Sequence, residues 1–446
     1  MDTIIALSTA PVISATGVLR LSGNDAFEIV EKMFSGKLYD MKSHTVKYGK
    51  ILDKKGNAVD EVLITVFRAP HSYTGENVVE ISCHGSPYVL KKVTELAVEN
   101  GARHAEAGEF TKRAFINGKL DLAQAEAVID LIEAETAEES GIALKNLNGD
   151  LSCGVEKIRT FLIDICAQIL AYIDYPDDEI VDTGAEELEK LVSKAFENTE
   201  KLRQSYTAGR IIKNGVSVVI CGKPNVGKSS VMNRLAGFER CIVTDIAGTT
   251  RDVVEEKILF GGMKFLISDT AGIHEGIDDA EKKGIIMAEK KMREADLIFF
   301  VLDANTGIEE EDMFIIKKLE KVKGKKIALI NKCDIFDINF DVPGFDSVIK
   351  ISAKTGYGFD LLEQTVKESF SGIYIKNNEI LMNTRQYSCV CRACACLKNA
   401  LDNIRLTPDV IITDLEESVK ALGEVTGKTV GEEIVENIFS RFCVGK

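Results

Sequence analysis

The feature that most constrains the fold lies in the middle of the chain. Between Val216 and about Phe370, short apolar runs ("VSVVICG", "KFLISDT", "LIFFVLD", "KIALIN" and "VIKISA") alternate with stretches of helical spacing. Runs this short and this continuously apolar suit strands buried on both faces, and parallel strands need a crossover, usually helical, between them. The alternation predicts a doubly wound α/β sheet. Residues 1–118 differ. Runs such as "VLITVFRAP" and "NVVEISCHG" end in turn residues, and "YVLKKVTELAVENG" has helical spacing, so this part reads as α+β. Residues 119–209 and 374–446 repeat their apolar positions every 3–4 residues, as in "LDLAQAEAVIDLIEAETAEESGIALKNL". The simplest architecture is one helical domain in two sequence pieces with an α/β domain, residues 210–373, inserted between them. Two separate helical segments are the alternative.

Composition narrows the function classes. No apolar run reaches the ~18–20 residues of a membrane span. The opening "MDTIIALSTAPVISATGVLRLSG" has no basic n-region and reads as a first strand rather than an export signal. The eleven cysteines fit no secreted framework, which points to reduced thiols in a cytoplasm. The net charge of −15 is unevenly spread: residues 1–118 hold 14 basic and 14 acidic side chains, residues 119–209 hold 8 and 20. Such a chain is not a strong non-specific nucleic-acid binder; a local patch or a second protein must supply any attraction.

Chemistry concentrates in "GKPNVGKS", Gly222 to Ser229, between the strand "VSVVIC" and a helical stretch. This is the context a phosphate-binding loop requires. Backbone N–H groups through Asn225, Val226, Gly227 and Ser230 can turn toward phosphate, Lys228 can reach the β/γ-phosphates, and Ser229 can hold Mg2+. A chance glycine turn is the bland alternative. Against it stand three more motifs in order, each at a strand end: "DTAG" (Asp269, Thr270, Ala271, Gly272), "NKCD" (Asn331, Lys332, Asp334) and "SAK" (Ser352, Ala353, Lys354). A carboxylate at Asp334 can accept two N–H bonds from guanine, which adenine cannot offer, so the set specifies a GTPase. The position that carries a water-orienting Gln in Ras-like enzymes is Ile273, so this GTPase is slow or uses other groups. Arg251 in "GTTRD" reads as structural.

Four stretches, "GEFTKRAFINGKLDLAQAEAVIDLI", "GKPNVGKSS", "DIAGTTRD" and the terminal "CVGK", closely match the pattern of one family. Over essentially its whole length the chain resembles the tRNA modification GTPase MnmE (TrmE) family. The resemblance implies an N-terminal folate-binding domain that forms a homodimer, a discontinuous helical domain and an inserted P-loop G domain. It implies an FAD-containing partner, MnmG (GidA), in a hetero-oligomer, with the FAD on that partner. The reaction it implies places an aminomethyl or carboxymethylaminomethyl-type group on carbon 5 of the wobble uridine (U34) of certain tRNAs. The carbon comes from a tetrahydrofolate derivative, 5-formyl or 5,10-methylene.

The same resemblance assigns residues. G domains pair around K+, held by Asn225, Thr244, Ile246 and Thr249, where an arginine finger's charge would otherwise sit. Asp245, Ala247 and Gly248 complete the loop on GTP, Thr250 joins Ser229 on Mg2+, and Glu281 orients the attacking water. Arg20, Glu80 and Lys119 mark the folate site, with Lys446 at its edge. One departure is "APVISATG", where many relatives carry a glycine-rich "PPG.GG" stretch.

Other candidates weigh less. "CVCRACAC", with Cys389, Cys391, Cys394 and Cys396, contains a C-x-x-C spacing, but a helix using cysteines as small apolar residues is the plainer reading. His84 reads as a packing residue rather than a base. Cys443 is fourth from the last residue, yet Gly445 and Lys446 break a prenylation signal. Phe439 and Phe442 suggest that the tail is packed, and the resemblance makes Cys443 a thiol delivered to the folate region for modification but not for GTP hydrolysis. Two rivals are a regulatory GTPase and a ribosome-assembly GTPase, both without modification chemistry.

Overall fold

The computed structural model describes residues 2–174, 185–237, 255–269, 290–336, 340–370, 372, 379–405 and 408–446. Thr244, Asp245, Ile246, Ala247, Gly248, Thr249, Thr250, Arg251, Thr270, Ala271, Gly272, Ile273 and Glu281 lie outside the described residues. The chain divides into two compact units: Met1–Ile132 with Leu144–Thr199 and Ser388–Lys446, and Glu133–Ala143 with Glu200–Tyr387.

In the first unit, β1 (Ile4–Leu7), β2 (Ser14–Ser22), β3 (Thr45–Leu52), β4 (Ala58–Phe67), β5 (Val78–Gly85) and β6 (Arg103–His104) form one sheet in the order β3-β4-β5-β2-β1-β6. Neighbours are antiparallel, except that β1 and β6 run parallel. The two-residue period of a strand sorts its side chains by face. Val79, Ile81 and Cys83 of β5 are buried, joining a core with Ile29 and Val30 of α1 (Ala26–Glu31) and Val93 and Leu96 of α2 (Pro87–Glu99). Glu80, Ser82 and His84 alternate with them and are less buried. After α3 (Glu109–Ile116) come α4 (Leu122–Glu133), α5 (Ala137–Leu147), α6 (Asp150–Asp174) and α7 (Ala185–Asn214). The expected boundary between residues 209 and 210 falls inside α7.

The second unit holds β7 (Val216–Cys221), β8 (Glu255–Phe260), β9 (Met263–Asp269), β10 (Leu297–Asp303), β11 (Lys325–Asn331) and β12 (Ser347–Lys350), in the order β12-β11-β10-β7-β9-β8. All pairs are parallel except β8 with β9. Every residue of β10 is buried. Leu297, Phe299 and Val301 pack on one side with α8 (Lys228–Ala236) and α10 (Phe359–Phe370); Ile298, Phe300 and Leu302 pack on the other with α9 (Glu310–Leu319). This is the doubly wound sheet the apolar runs predict.

The chain then continues through α11 (Thr384–Asp402), α12 (Pro408–Thr426) and α13 (Glu432–Phe439). In the first unit α12 packs along α6: Leu151, Val155, Leu162 and Ile165 are buried on one helix, Leu415, Leu422 and Val425 on the other. Cys389 and Cys394 are buried on α11 together with Val390, Ala393 and Leu397. Among the described residues no three His, Cys, Asp or Glu side chains are grouped so as to hold a metal ion, and no helix is long and apolar enough to cross a membrane.

One buried ion cluster ties the start of α5 to the start of β9 within the second unit. Lys264 Nζ lies 2.8 Å from Glu135 and 2.6 Å from Glu139. Glu139 also accepts the Glu135 N–H at 2.8 Å, while its own N–H donates to Thr136 Oγ1 at 3.2 Å, which is a helix capping arrangement. Burial alone would lower the Lys264 pKa, but the two carboxylates outweigh it and hold it above its ordinary value. Lys264→Met strands the buried Glu139 carboxylate, while Glu135 is solvent-accessible, so a loss of ~3 kcal/mol is expected. The check is the thermal unfolding midpoint, which should recover in part when Glu139→Gln is added.

Candidate functional site

β7 ends at Cys221, the loop 222–227 turns, and α8 begins at Lys228. The turn needs glycine twice. Gly222 (φ +148) would put a Cβ 2.4 Å from the Val301 carbonyl, and Gly227 (φ +99) would put one 2.3 Å from Asn331 Nδ2. Asn225 is left-handed with φ 63, a conformation Asn tolerates better than most residues. Lys228 Nζ donates to the carbonyls of Gly222 and Lys223, both at 2.9 Å.

Other segments of the unit hold this loop in place. Asn331 Nδ2 donates to the Val226 carbonyl at 2.9 Å, and Lys332 Nζ donates to the Asn225 carbonyl at 3.0 Å. Lys332 also pairs with Asp303 at 2.6 Å. Burial would raise the Asp303 pKa, but Lys332 and the Asn305 N–H keep it below the usual carboxylate range. On the other flank Lys223 Nζ reaches Thr306 Oγ1 at 2.9 Å, Glu309 at 2.6 Å and Asp312 at 3.2 Å.

Beyond the loop opens a cavity of about 590 Å3 lined by Gly227, Ser230, Asn331, Lys332, Asp334, Ser352, Ala353 and Lys354, among others. Ser352 Oγ donates to Asp334 Oδ1 at 2.7 Å, and the Ala353 N–H donates to Asn331 Oδ1 at 3.0 Å. The P-loop, "NKCD" and "SAK" residues are thus gathered in one place. Asp269 closes β9. Sequence reasoning missed Asn233 and Arg234, which also line the cavity; they follow Ser230 by three and four residues on α8, a helical spacing that could have found them.

A second constellation lies in the first unit. Arg20 of β2 faces Glu80 of β5 in register, with Nη2 to Oε1 at 2.8 Å. Its guanidinium lies over the rings of Tyr73 at 5.6 Å and Phe110 at 5.7 Å. Lys119 donates to the Pro70 carbonyl at 3.1 Å and, with Tyr73, lines a cavity of about 440 Å3. The C-terminal tail comes to the same sheet. Val444 bridges to Ala107, Ser8 Oγ donates to the Gly445 carbonyl at 3.4 Å, and Phe439 and Phe442 are buried beneath. Burial and the Arg20 charge push the Lys446 pKa down, against the pull of Glu80. Cys443 is exposed. His84 is a correction: it does not pack but is 71% exposed, its Nδ1 2.7 Å from Asp60 Oδ1. A strand pair whose outward positions face solvent leaves it there.

A parallel sheet that delivers a glycine loop, a helix N-terminus and the Asp334 carboxylate to one cavity defines the class: a P-loop GTPase, an enzyme that hydrolyses GTP. A family profile described as the MnmE helical domain matches residues 122–443, and one described as the GTP-binding protein TrmE N-terminus matches residues 3–119. The chain belongs to the tRNA modification GTPase MnmE family. The tRNA modification GTPase MnmE of Acetivibrio thermocellus is 42% identical over 100% of this chain and 99% of that protein. Those of Carboxydothermus hydrogenoformans and Desulforamulus reducens are 41% and 40% identical with the same coverage.

Asp334→Asn tests the base-reading geometry. An amide accepts where the carboxylate accepted twice, and charge-assisted bonds contribute ~1.5–3 kcal/mol each. GTP affinity should fall about 10- to 100-fold, and xanthosine triphosphate, with an oxygen in place of the exocyclic amine, should gain. Titration with fluorescent analogues of both nucleotides reads this out.

Proposed function

We propose that this protein is a K+-stimulated, Mg2+-dependent GTPase that acts on tRNA. With an FAD-containing MnmG-type partner it modifies carbon 5 of U34 to an aminomethyl or carboxymethylaminomethyl-type group, using a tetrahydrofolate one-carbon unit. The observation that carries the modification half is the docked segment 443–446: Val444 bridges to Ala107, and Ser8 Oγ, just after β1, donates to the Gly445 carbonyl at 3.4 Å. A GTPase that only switches has no need to seat its terminus in this way. In this reading residues 1–118 bind folate and form the homodimer, 119–209 and 374–446 make the helical domain, 210–373 is the G domain, and the protein works in the cytoplasm.

The nucleotide chemistry follows from the loop. Lys228 and the α8 N-terminus neutralise phosphate charge, and Asp334, braced by Ser352, selects guanine. Ser229 offers a hydroxyl on the exposed first turn of α8, a hard oxygen donor that suits Mg2+. With Thr250 it would hold the ion, which supplies charge neutralisation at the β- and γ-phosphates. Asn225, exposed on its left-handed turn, is the described member of the K+ set with Thr244, Ile246 and Thr249. Glu281 orients the attacking water in place of the missing Gln. On the folate, Glu80 accepts from the pterin N–H edge while Arg20, Lys119 and Lys446 meet its carboxylates. Cys443 is the thiol of the modification step.

GTP hydrolysis in KCl against NaCl at equal ionic strength tests the nucleotide half. The expected outcome is acceleration by K+ of roughly tenfold or more, the scale on which a fixed positive charge acts on a developing phosphate charge. Equal rates sink the K+ mechanism. For the modification half, Cys443→Ser should leave hydrolysis within about twofold and abolish the U34 product in digested tRNA. Unchanged nucleoside composition would point to a regulatory GTPase instead.

A further inference from the structure

Lys223, the second residue of the phosphate-binding loop, does something its motif position does not require. Its backbone carbonyl accepts from the Lys228 ammonium at 2.9 Å. Its side chain is 9% exposed. It meets three acceptors: Thr306 Oγ1 at 2.9 Å, Glu309 Oε2 at 2.6 Å and Asp312 Oδ2 at 3.2 Å. An ammonium has three N–H donors, so the set matches it in number.

The acceptors are themselves fixed. Glu309 and Asp312 form a reciprocal capping box that starts α9, with the Glu309 N–H donating to Asp312 at 3.0 Å. Asp312 is fully buried. The segment 303–312 therefore grips the phosphate loop at two places. Asp303 acts through Lys332 on the Asn225 carbonyl, and Glu309 and Asp312 act through Lys223 on the loop's first turn. With both places fixed, the loop cannot rotate its N–H groups away from an anion without breaking an ion pair.

We infer that Lys223 is a positioning residue for GTP. Anchored on the Thr306–Glu309–Asp312 cluster, it holds the loop backbone and its own carbonyl in the orientation that presents Lys228 and the loop N–H groups to the phosphates. It does not touch the nucleotide. Pre-organisation of this kind acts on binding, because the loop no longer loses conformational freedom when the ligand arrives.

The test separates positioning from stability. Lys223→Met keeps the length and removes the charge. The KM for GTP and the Kd for GDP are each expected to rise roughly tenfold, with a smaller fall in kcat. Part of the thermal midpoint will be lost as well, because Asp312 is left buried and unpaired. Lys223→Met combined with Asp312→Asn removes that stranded charge. This double variant should regain thermal stability while KM and Kd stay raised. If KM and Kd return to the unaltered values together with the midpoint, Lys223 is merely structural and the inference fails. It fails equally if Lys223→Met melts lower yet binds both nucleotides as before. Should the single variant not fold, the double variant alone decides between the same two outcomes.

Discussion

Two side chains at the end of β11 hold the nucleotide site together. Asn331 and Lys332 each donate to a carbonyl of the phosphate loop, at 2.9 and 3.0 Å. The "NKCD" and "GKPNVGKS" segments are thereby one mechanical piece rather than two motifs that happen to adjoin. Gly227 is required for this reason, since any Cβ there would collide with the Asn331 amide. The sheet makes the grip possible, because β11 and β7 flank β10 and end on the same side of it. Lys223 and Lys332 then use charge to fix what the strands place.

The first unit depends on register in a similar way. Arg20 and Glu80 meet because β2 and β5 pair antiparallel with those two residues opposite each other. A slip of one residue in either strand would turn that strand's member of the pair to the buried face. Residues 444–445 dock within the same unit, Val444 against Ala107 and Gly445 against Ser8.

Much of this was legible in the sequence, for physical reasons. Strands buried on both faces must be continuously apolar, which made "LIFFVLD" and "KIALIN" readable as inner strands of a doubly wound sheet. Motifs whose glycines answer to sterics were readable too. β8 was not: "EEKILF" is an edge strand with charged residues, and nothing in its composition separates it from a loop. The domain boundary drawn between residues 209 and 210 has no local mark, because α7 runs through it to Asn214. His84 was misjudged because a histidine between apolar neighbours says nothing about which strand face it occupies. The partners of Lys223 and Lys264 are far away in sequence, and no local pattern announces them.

The pairing of α6 with α12 has a consequence for biosynthesis. The buried stripe of α6, with Leu151, Val155, Leu162 and Ile165, packs on a helix that begins at Pro408. A ribosome makes the intervening residues first, at ~5–20 residues per second. All the strands of the β7–β12 sheet are therefore synthesised before the helix on which α6 packs. The N-terminal sheet of the first unit, whose core lies within residues 5–102, has its packing partners early, whereas α6 has its partner only late. The first unit can close along α6 only once Pro408–Thr426 has been made.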